Sequence, residues 1–540
     1  MRVRRGIFRR GGHGRPAVAV LVAAVCAVVP TARTAIADGY EAVPTPAASP
    51  VEEVIAGGTQ EPVSAPAETA RAVCGPCRTD GWLHGSSDYP GMVPGRAVAA
   101  LGVASCATVS CHGGPSAGNH AVQSFAATIW AGHDPHARAY EVLHDERSQR
   151  MARLLGIGPP QRARQCLVCH AVQDMAPEPL PLEVLADGVG CAACHGDAGR
   201  WQQVHTLPVW KTLSPESRQA LGYRDLTTPQ ARVSTCVRCH VGDAVHEVNH
   251  DLIAAGHPRL LFEFAAYQRL EPRHWNPRGK AESAADFTAR SWSAGQAVTL
   301  AAVADLLAVR VQRARAAVAA GQPHRWPEFA EFDCYSCHRT LGPDTNAAAR
   351  EPVARQPRPG QPAWQPWQVA GGRLLRAGLE GPVAIAGTPA ADLERSVVDI
   401  RRLLDDRWAA ADVERLDRVL LEARGLGRAA RRAAAAIDER PLVEIDAAHG
   451  TLDGLVAAEP ADWRTWDAAV QTTLALQAGR EGGAAEIGVW RTVGQRRAAT
   501  VAEPRRSLDE LRATLRFPPG ADSPGPFDPG GFHRQRGHVP

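Results

Sequence analysis

Hydrophobic and polar positions divide the chain into stretches of different character. Residues 1–37 open on Arg2, Arg4, Arg5, Arg9 and Arg10, continue as an apolar run over 17–29 and close on Ala35-Ile36-Ala37. That order of basic start, apolar middle and small-x-small site is a signal peptide, and its run is shorter than the roughly 20 residues of a membrane span. Residues 38–100 are rich in Pro and Ala without an apolar period and read as a linker. The stretch 101–345 contains a long amphipathic helix over 296–320, and 346–372 is a second linker rich in Pro, Gln and Arg. From 373 to 540, Ala, Leu, Arg and Glu recur at helical spacing. Leu393, Val397, Ile400, Leu403 and Leu404 fall on one face of a helix over 390–408, and another helix covers 412–423. Period-two alternation is almost absent, so the expected class is mainly α, with no membrane span beyond the leader.

Composition narrows the classes. A chain of 540 residues exceeds one compact core, and two or three folding units are expected. The formal charge of +3 turns mildly negative once the leader is set aside, which is not the footprint of a nucleic-acid binder. Aromatic residues make up only 5%, leaving room for something else to fill the interior. Lys211 and Lys280 are the only lysines, so lysine is nearly unavailable as a metal ligand.

The cysteines carry the chemistry. Ten of the thirteen form five pairs, each followed at once by a histidine. Four are CxxCH: Cys166 and Cys169 with His170, Cys191 and Cys194 with His195, Cys236 and Cys239 with His240, and Cys334 and Cys337 with His338. Two cysteines so spaced reach the two vinyl groups of one haem as thioethers, and the next histidine lies beneath the iron. The fifth pair, Cys106 and Cys111 with His112, has four intervening residues, a longer loop that can still span the vinyls. Zinc sites and disulfides also use paired cysteines, but neither requires a histidine after every pair. The reading is five covalently attached haem c groups.

The opposite iron faces need further ligands. Met151 and Met175 are the only methionines in the region, whereas ten histidines there are not part of a motif: His120, His133, His136, His144, His205, His246, His250, His257, His274 and His324. Bis-histidine ligation is therefore expected, and with it low potentials. Asp134 can cap a helix and Pro135 can open it, which would hold His136 in a fixed first turn. Gly256 can end a helix and Pro258 can begin the next, which would pin His257 between them, seven residues after His250.

HDPHARAYEVLHDERSQRMARLLG, DGVGCAACHG, NHDLIAAGHPRLLFEFAAY and FDCYSCHRTL resemble the bacterial pentahaem relatives of the cytochrome c-554/c-prime family, over roughly residues 101–341. The resemblance implies a helical fold packed around closely stacked haems, with distal ligation at His136, at His205 after Trp201, and at His250 or His257. Arg339 stands where relatives often carry a second histidine. The C-terminal helical region lies outside the resemblance.

Cys74 and Cys77 form a CxxC pair followed by Arg78, which cannot ligate iron. A local disulfide or redox pair is the first reading of it, and a sixth haem the second. For the whole chain, two functions stand. One is an exported electron carrier, periplasmic or otherwise extracytoplasmic, working between redox partner proteins. The other is an oxidoreductase acting on a small nitrogen or sulfur compound, such as nitrite or hydroxylamine, at one haem with an open face. The CxxCK catalytic motif of nitrite reductases is missing, which favours the carrier. Oligomeric state is not legible from the sequence.

Overall fold

The structure is a computed structural model, and it describes residues 101–115, 122–171, 179–275, 284–334, 362–379, 390–405, 411–439 and 466–483. All of them fall within one compact unit of the chain. The leader, the linker over 38–100, Cys74, Cys77, His120, Cys337 and His338 lie outside the described residues.

Among the described residues the protein is mainly helical, and its one extended pairing is an isolated bridge between Phe332 and Trp364. The first half is built of short helices: α1 (Ala126–His133), α2 (Glu146–Leu155), α3 (Arg164–His170), α4 (Leu182–Ala186), α5 (Cys191–His195), α6 (Pro215–Ala220), α7 (Pro229–His240), α8 (His250–Ala255) and α9 (Phe264–Leu270). Local chemistry sets several of these ends. The hydroxyls of Ser214 and Thr228 and the Asn249 side chain accept from backbone N–H groups at the starts of α6, α7 and α8, while the Glu263 carboxylate caps α9. The second half is longer-limbed: α10 (Ala284–Ala319), α11 (Pro366–Leu379), α12 (Ala390–Asp405), α13 (Val413–Glu439) and α14 (Trp466–Gly483).

One apolar core runs through both halves. Val233, Val237 and Val241 from α7 and its end meet Phe262 and Phe264, the buried face of α10, and Leu393, Ile400, Leu416, Val419 and Leu426 from α12 and α13. Helix α10 is the hub, packed against α7, α9, α11, α13 and α14. Its segment Arg290–Ala319 is long and apolar enough to cross a bilayer, yet 89% of its most apolar window is buried inside the protein. A helix apolar on all sides is expected at such a hub. The cysteine-bearing half has only a small cluster of its own, Tyr140, Leu143, Leu167 and Ala171.

The structure extends several sequence expectations. Helix α12 follows the amphipathic face read over 390–408, but α13 runs to Glu439, well past 423. Helix α10 begins at Ala284 instead of 296; ahead of 296 it buries the polar Arg290, Ser291 and Ser293, which no apolar pattern in the sequence marks as core. Residues from 362 onward leave the character of a linker. Trp364 and Trp367 are fully buried, with indole N–H groups donating to Glu331 Oε2 at 2.7 Å and to the Phe262 carbonyl at 2.9 Å. Pro258 opens no helix; the chain stays irregular until Glu263 caps α9.

Candidate haem-binding site

Three CxxCH motifs occupy the ends of short helices, each with its histidine as the last helical residue: His170 of α3, His195 of α5 and His240 of α7. This places both cysteines about one turn apart on one side, with the histidine following them. Arg224 donates from Nη1 to the carbonyls of Ala193 and Cys194 at 2.7 and 3.1 Å, satisfying the end of α5. Gly196 then turns the chain at φ +84°, where an added Cβ would lie 2.1 Å from the Gly222 carbonyl oxygen. The longer first motif is a hydrogen-bonded loop. His112 N–H donates to the Cys106 carbonyl at 3.2 Å and Gly113 N–H to that of Thr108 at 2.9 Å, so the added residues fold back instead of spreading the cysteines apart.

The non-motif histidines come to these helices from distant segments. His205 faces His112 with ring centroids 6.3 Å apart and planes 13° apart. His136 faces His240 at 6.0 Å and 80°, and His274 faces His195 at 6.4 Å and 73°. His257 lies within electrostatic reach of His170. His250 donates its backbone N–H to Glu328 Oε1 at 2.7 Å, and its ring meets Phe329 at 5.5 Å, on the segment that leads into Cys334.

The rings are held so that one nitrogen is free. Nδ1 of His112 lies 2.6 Å from the Gln123 carbonyl, that of His170 2.7 Å from Ala139, and that of His257 2.8 Å from Pro258. His205 makes the same contact to Gln202. A carbonyl only accepts, so Nδ1 carries the proton and Nε2 keeps its lone pair. His136 Nδ1 instead meets Asp134 Oδ1 at 2.9 Å, and that same oxygen accepts the His136 backbone N–H at 2.9 Å. The sequence-derived cap is thus present, on a 3₁₀ turn over Pro135–Arg138. Burial lowers the His240 pKa to about 3 and that of His195 to about 4, and pushes His170 and His257 in the same direction. Neutral imidazole is the form a metal takes.

These contacts fit haem iron. Two metal–nitrogen bonds of about 2 Å, plus roughly 1.1 Å from each nitrogen to its ring centre, separate trans imidazole centroids by about 6 Å. The three measured spacings, 6.0 to 6.4 Å, match. A zinc site would gather three or four donors, whereas among the described residues no three His, Cys, Asp or Glu side chains converge in that way. His205 is further boxed by Trp201 and Trp210, with Tyr223 against both tryptophans.

The remaining candidates are placed elsewhere. His144 packs on Tyr140, His246 is buried against Asp243, and His324 Nδ1 accepts from Trp326 N–H. His274, which the sequence left among ten candidates, stands opposite His195. Its only local signal is its position before Trp275, an indole covered by Arg232 at 4.5 Å.

Residues 105–196, which hold the first three motifs, match the family model described as cytochrome c554 and c-prime. No curated protein and no solved structure matches the chain. The family match supports a c-type cytochrome, an electron carrier with covalently bound haem c.

Proposed function

We propose that the chain is an exported multihaem cytochrome that relays electrons between redox partner proteins in the periplasm. In this reading five haem c groups are attached at Cys106 and Cys111, Cys166 and Cys169, Cys191 and Cys194, Cys236 and Cys239, and Cys334 and Cys337. The observation that carries it is the pairing of motif histidines with distant histidines at a spacing of 6.0 to 6.4 Å. When bound, haem iron supplies reversible one-electron chemistry.

In this reading the chain's own residues would hold four irons from both sides, His112 with His205, His195 with His274, His240 with His136 and His170 with His257, and His250 is assigned to the remaining haem. The Nδ1 hydrogen bonds of His112, His136, His170, His205 and His257 fix the direction of those rings. An iron held by two imidazoles would leave no position for a substrate, which favours carriage over turnover. Proximity of the sites supports relay. The Cys106 and Cys191 thiols are within hydrogen-bonding distance, Cys194 is within electrostatic reach of Cys239, and His240 is within reach of His170. The exported setting rests on the leader over 1–37.

Mass spectrometry of the mature protein under denaturing conditions is expected to show the added mass of five haems. Four would leave the site at Cys106 and Cys111 unused, and six would bring in Cys74 and Cys77. Carbon monoxide added to the reduced protein is expected to leave the visible spectrum unchanged. Rapid binding at one haem, joined by nitrite or hydroxylamine turnover of about 1 per second or more, would overturn the carrier reading in favour of an oxidoreductase.

A further inference from the structure

We infer that Trp201 and Trp210 are positioning residues that lock the His205 imidazole nearly parallel to His112, an inference that rests on the haem reading above. His205 sits on a 3₁₀ turn over Val204–Thr206, and its backbone N–H donates to the Trp201 carbonyl at 2.9 Å. Gln202 ties this segment to the first motif, its Nε2 donating to the Ser105 carbonyl at 2.6 Å. The Trp201 ring meets His205 at 5.4 Å and 78°, and the Trp210 ring meets it at 6.3 Å and 81°. Tyr223 stands against both indoles, 5.2 Å from Trp201 and 5.1 Å from Trp210. Arg218 of α6 fixes Trp210 in turn. Its Nη2 donates to the Trp210 carbonyl at 3.0 Å, and its guanidinium covers the indole at 5.2 Å.

An imidazole turns easily about its Cβ–Cγ bond, because that torsion is broad. The Nδ1 contact to the Gln202 carbonyl limits the swing, and two indoles standing nearly at right angles to the ring close off the rest. The outcome is an angle of 13° to His112, whereas His136 and His240 stand at 80° and His195 and His274 at 73°. Ligand arrangement is one of the protein's levers on a haem iron. Parallel rings donate π density into the same iron d orbital and separate it in energy from its neighbour. A ferric low-spin centre then keeps its unpaired electron in one defined orbital, with lobes normal to the rings. Crossed rings act on both orbitals alike and leave them close in energy. The first site is thereby built to differ electronically from the two crossed ones, and the indoles aim the orbital that exchanges the electron. Trp201 and Trp210 touch no reacting atom by this account; they act through His205.

The test is electron paramagnetic resonance of the oxidised full-length holoprotein. Wild type is expected to show a rhombic low-spin signal from parallel ligand planes beside strongly anisotropic low-spin signals from crossed ones. Trp201→Ala combined with Trp210→Ala is expected to lose one haem's share of the rhombic signal to a broad low-spin one, with haem mass unchanged and no gain of high-spin iron. Trp201→Phe combined with Trp210→Phe, which keeps a ring at each position, is expected to show the wild-type spectrum. Tyr223→Leu, which removes the ring backing both indoles, is expected to broaden the same rhombic signal by less. An unchanged rhombic signal in the double alanine variant, or in Tyr223→Leu where that variant fails to accumulate, overturns the inference. New high-spin iron overturns it too, because the indoles would then be needed for ligation and not for the ring plane. A wild-type protein with its full haem mass and no rhombic signal overturns this inference alone. A wild-type protein lacking haem overturns the haem reading and this inference with it.

Discussion

His112 and His205, 93 residues apart in the chain, present their imidazole rings nearly parallel, 13° between planes and 6.3 Å between centroids. Each Nδ1 is occupied by a backbone carbonyl, Gln123 for one and Gln202 for the other. Two rings so tethered hold their geometry without relying on each other, because each is oriented by its own segment. The pair is thereby pre-organised for a metal between them.

In the proposed reading His274, opposite His195 at 6.4 Å, is a ligand that can be removed cleanly. His274→Ala is expected to convert one low-spin haem to high spin in electron paramagnetic resonance, with the haem mass unchanged. His324→Ala, on a ring whose Nδ1 accepts from the Trp326 backbone N–H, is expected to leave the spectrum as in wild type. Identical spectra for the two variants would remove His274 from the ligand set.

Asp243 makes part of the stability acid-sensitive. Burial works against its charge, but hydrogen bonds from His246 and Val245 and the His246 charge outweigh it, holding its pKa at about 2. A folded value below the unfolded value of about 3.9 stabilises the fold at higher pH, and that contribution drains away as pH falls through about 2. Asp243→Asn should cost roughly 2 kcal/mol at neutral pH. The gap between variant and wild type should close in acid, which denaturant titrations at several pH values would reveal.

Glu331 anchors the buried network that joins the cysteine-bearing half to α10 and Trp364. Its carboxylate accepts from Arg310 Nη1 at 2.7 Å and from Trp364 Nε1 at 2.7 Å, while Arg310 Nε reaches Glu247 at 2.8 Å. Glu331→Gln leaves the buried guanidinium with one carboxylate instead of two. Breaking such a pair costs about 3–5 kcal/mol, and the surviving Glu247 puts the expectation near about 3 kcal/mol. A lower urea midpoint with an unchanged slope is the expected result.

Gly196 should tolerate no side chain. Its φ of +84° and the 2.1 Å approach of a would-be Cβ to the Gly222 carbonyl oxygen both oppose alanine. Gly196→Ala is expected to cost on the order of 1–3 kcal/mol. It should also disturb His195 next door, so haem occupancy at Cys191 and Cys194 should fall, as read from peptide mass mapping.

What the sequence determined by itself was the local chemistry. Cys-Cys-His spacing, the Asp134–Pro135–His136 turn and the helix stop at Gly256 are all set within a few residues, where backbone geometry and side-chain reach suffice. The mainly helical class was legible for the same reason, since amphipathic period is a local property, and it failed at the start of α10 where burial is uniform. Only the tertiary structure decided which histidine faces which. Residues that would hold one iron from opposite sides come from different segments, and no local period links His195 to His274 or His240 to His136. The same holds for Arg259 and Asp467: a buried charge needs a counter-charge, but only packing brings together partners 208 residues apart.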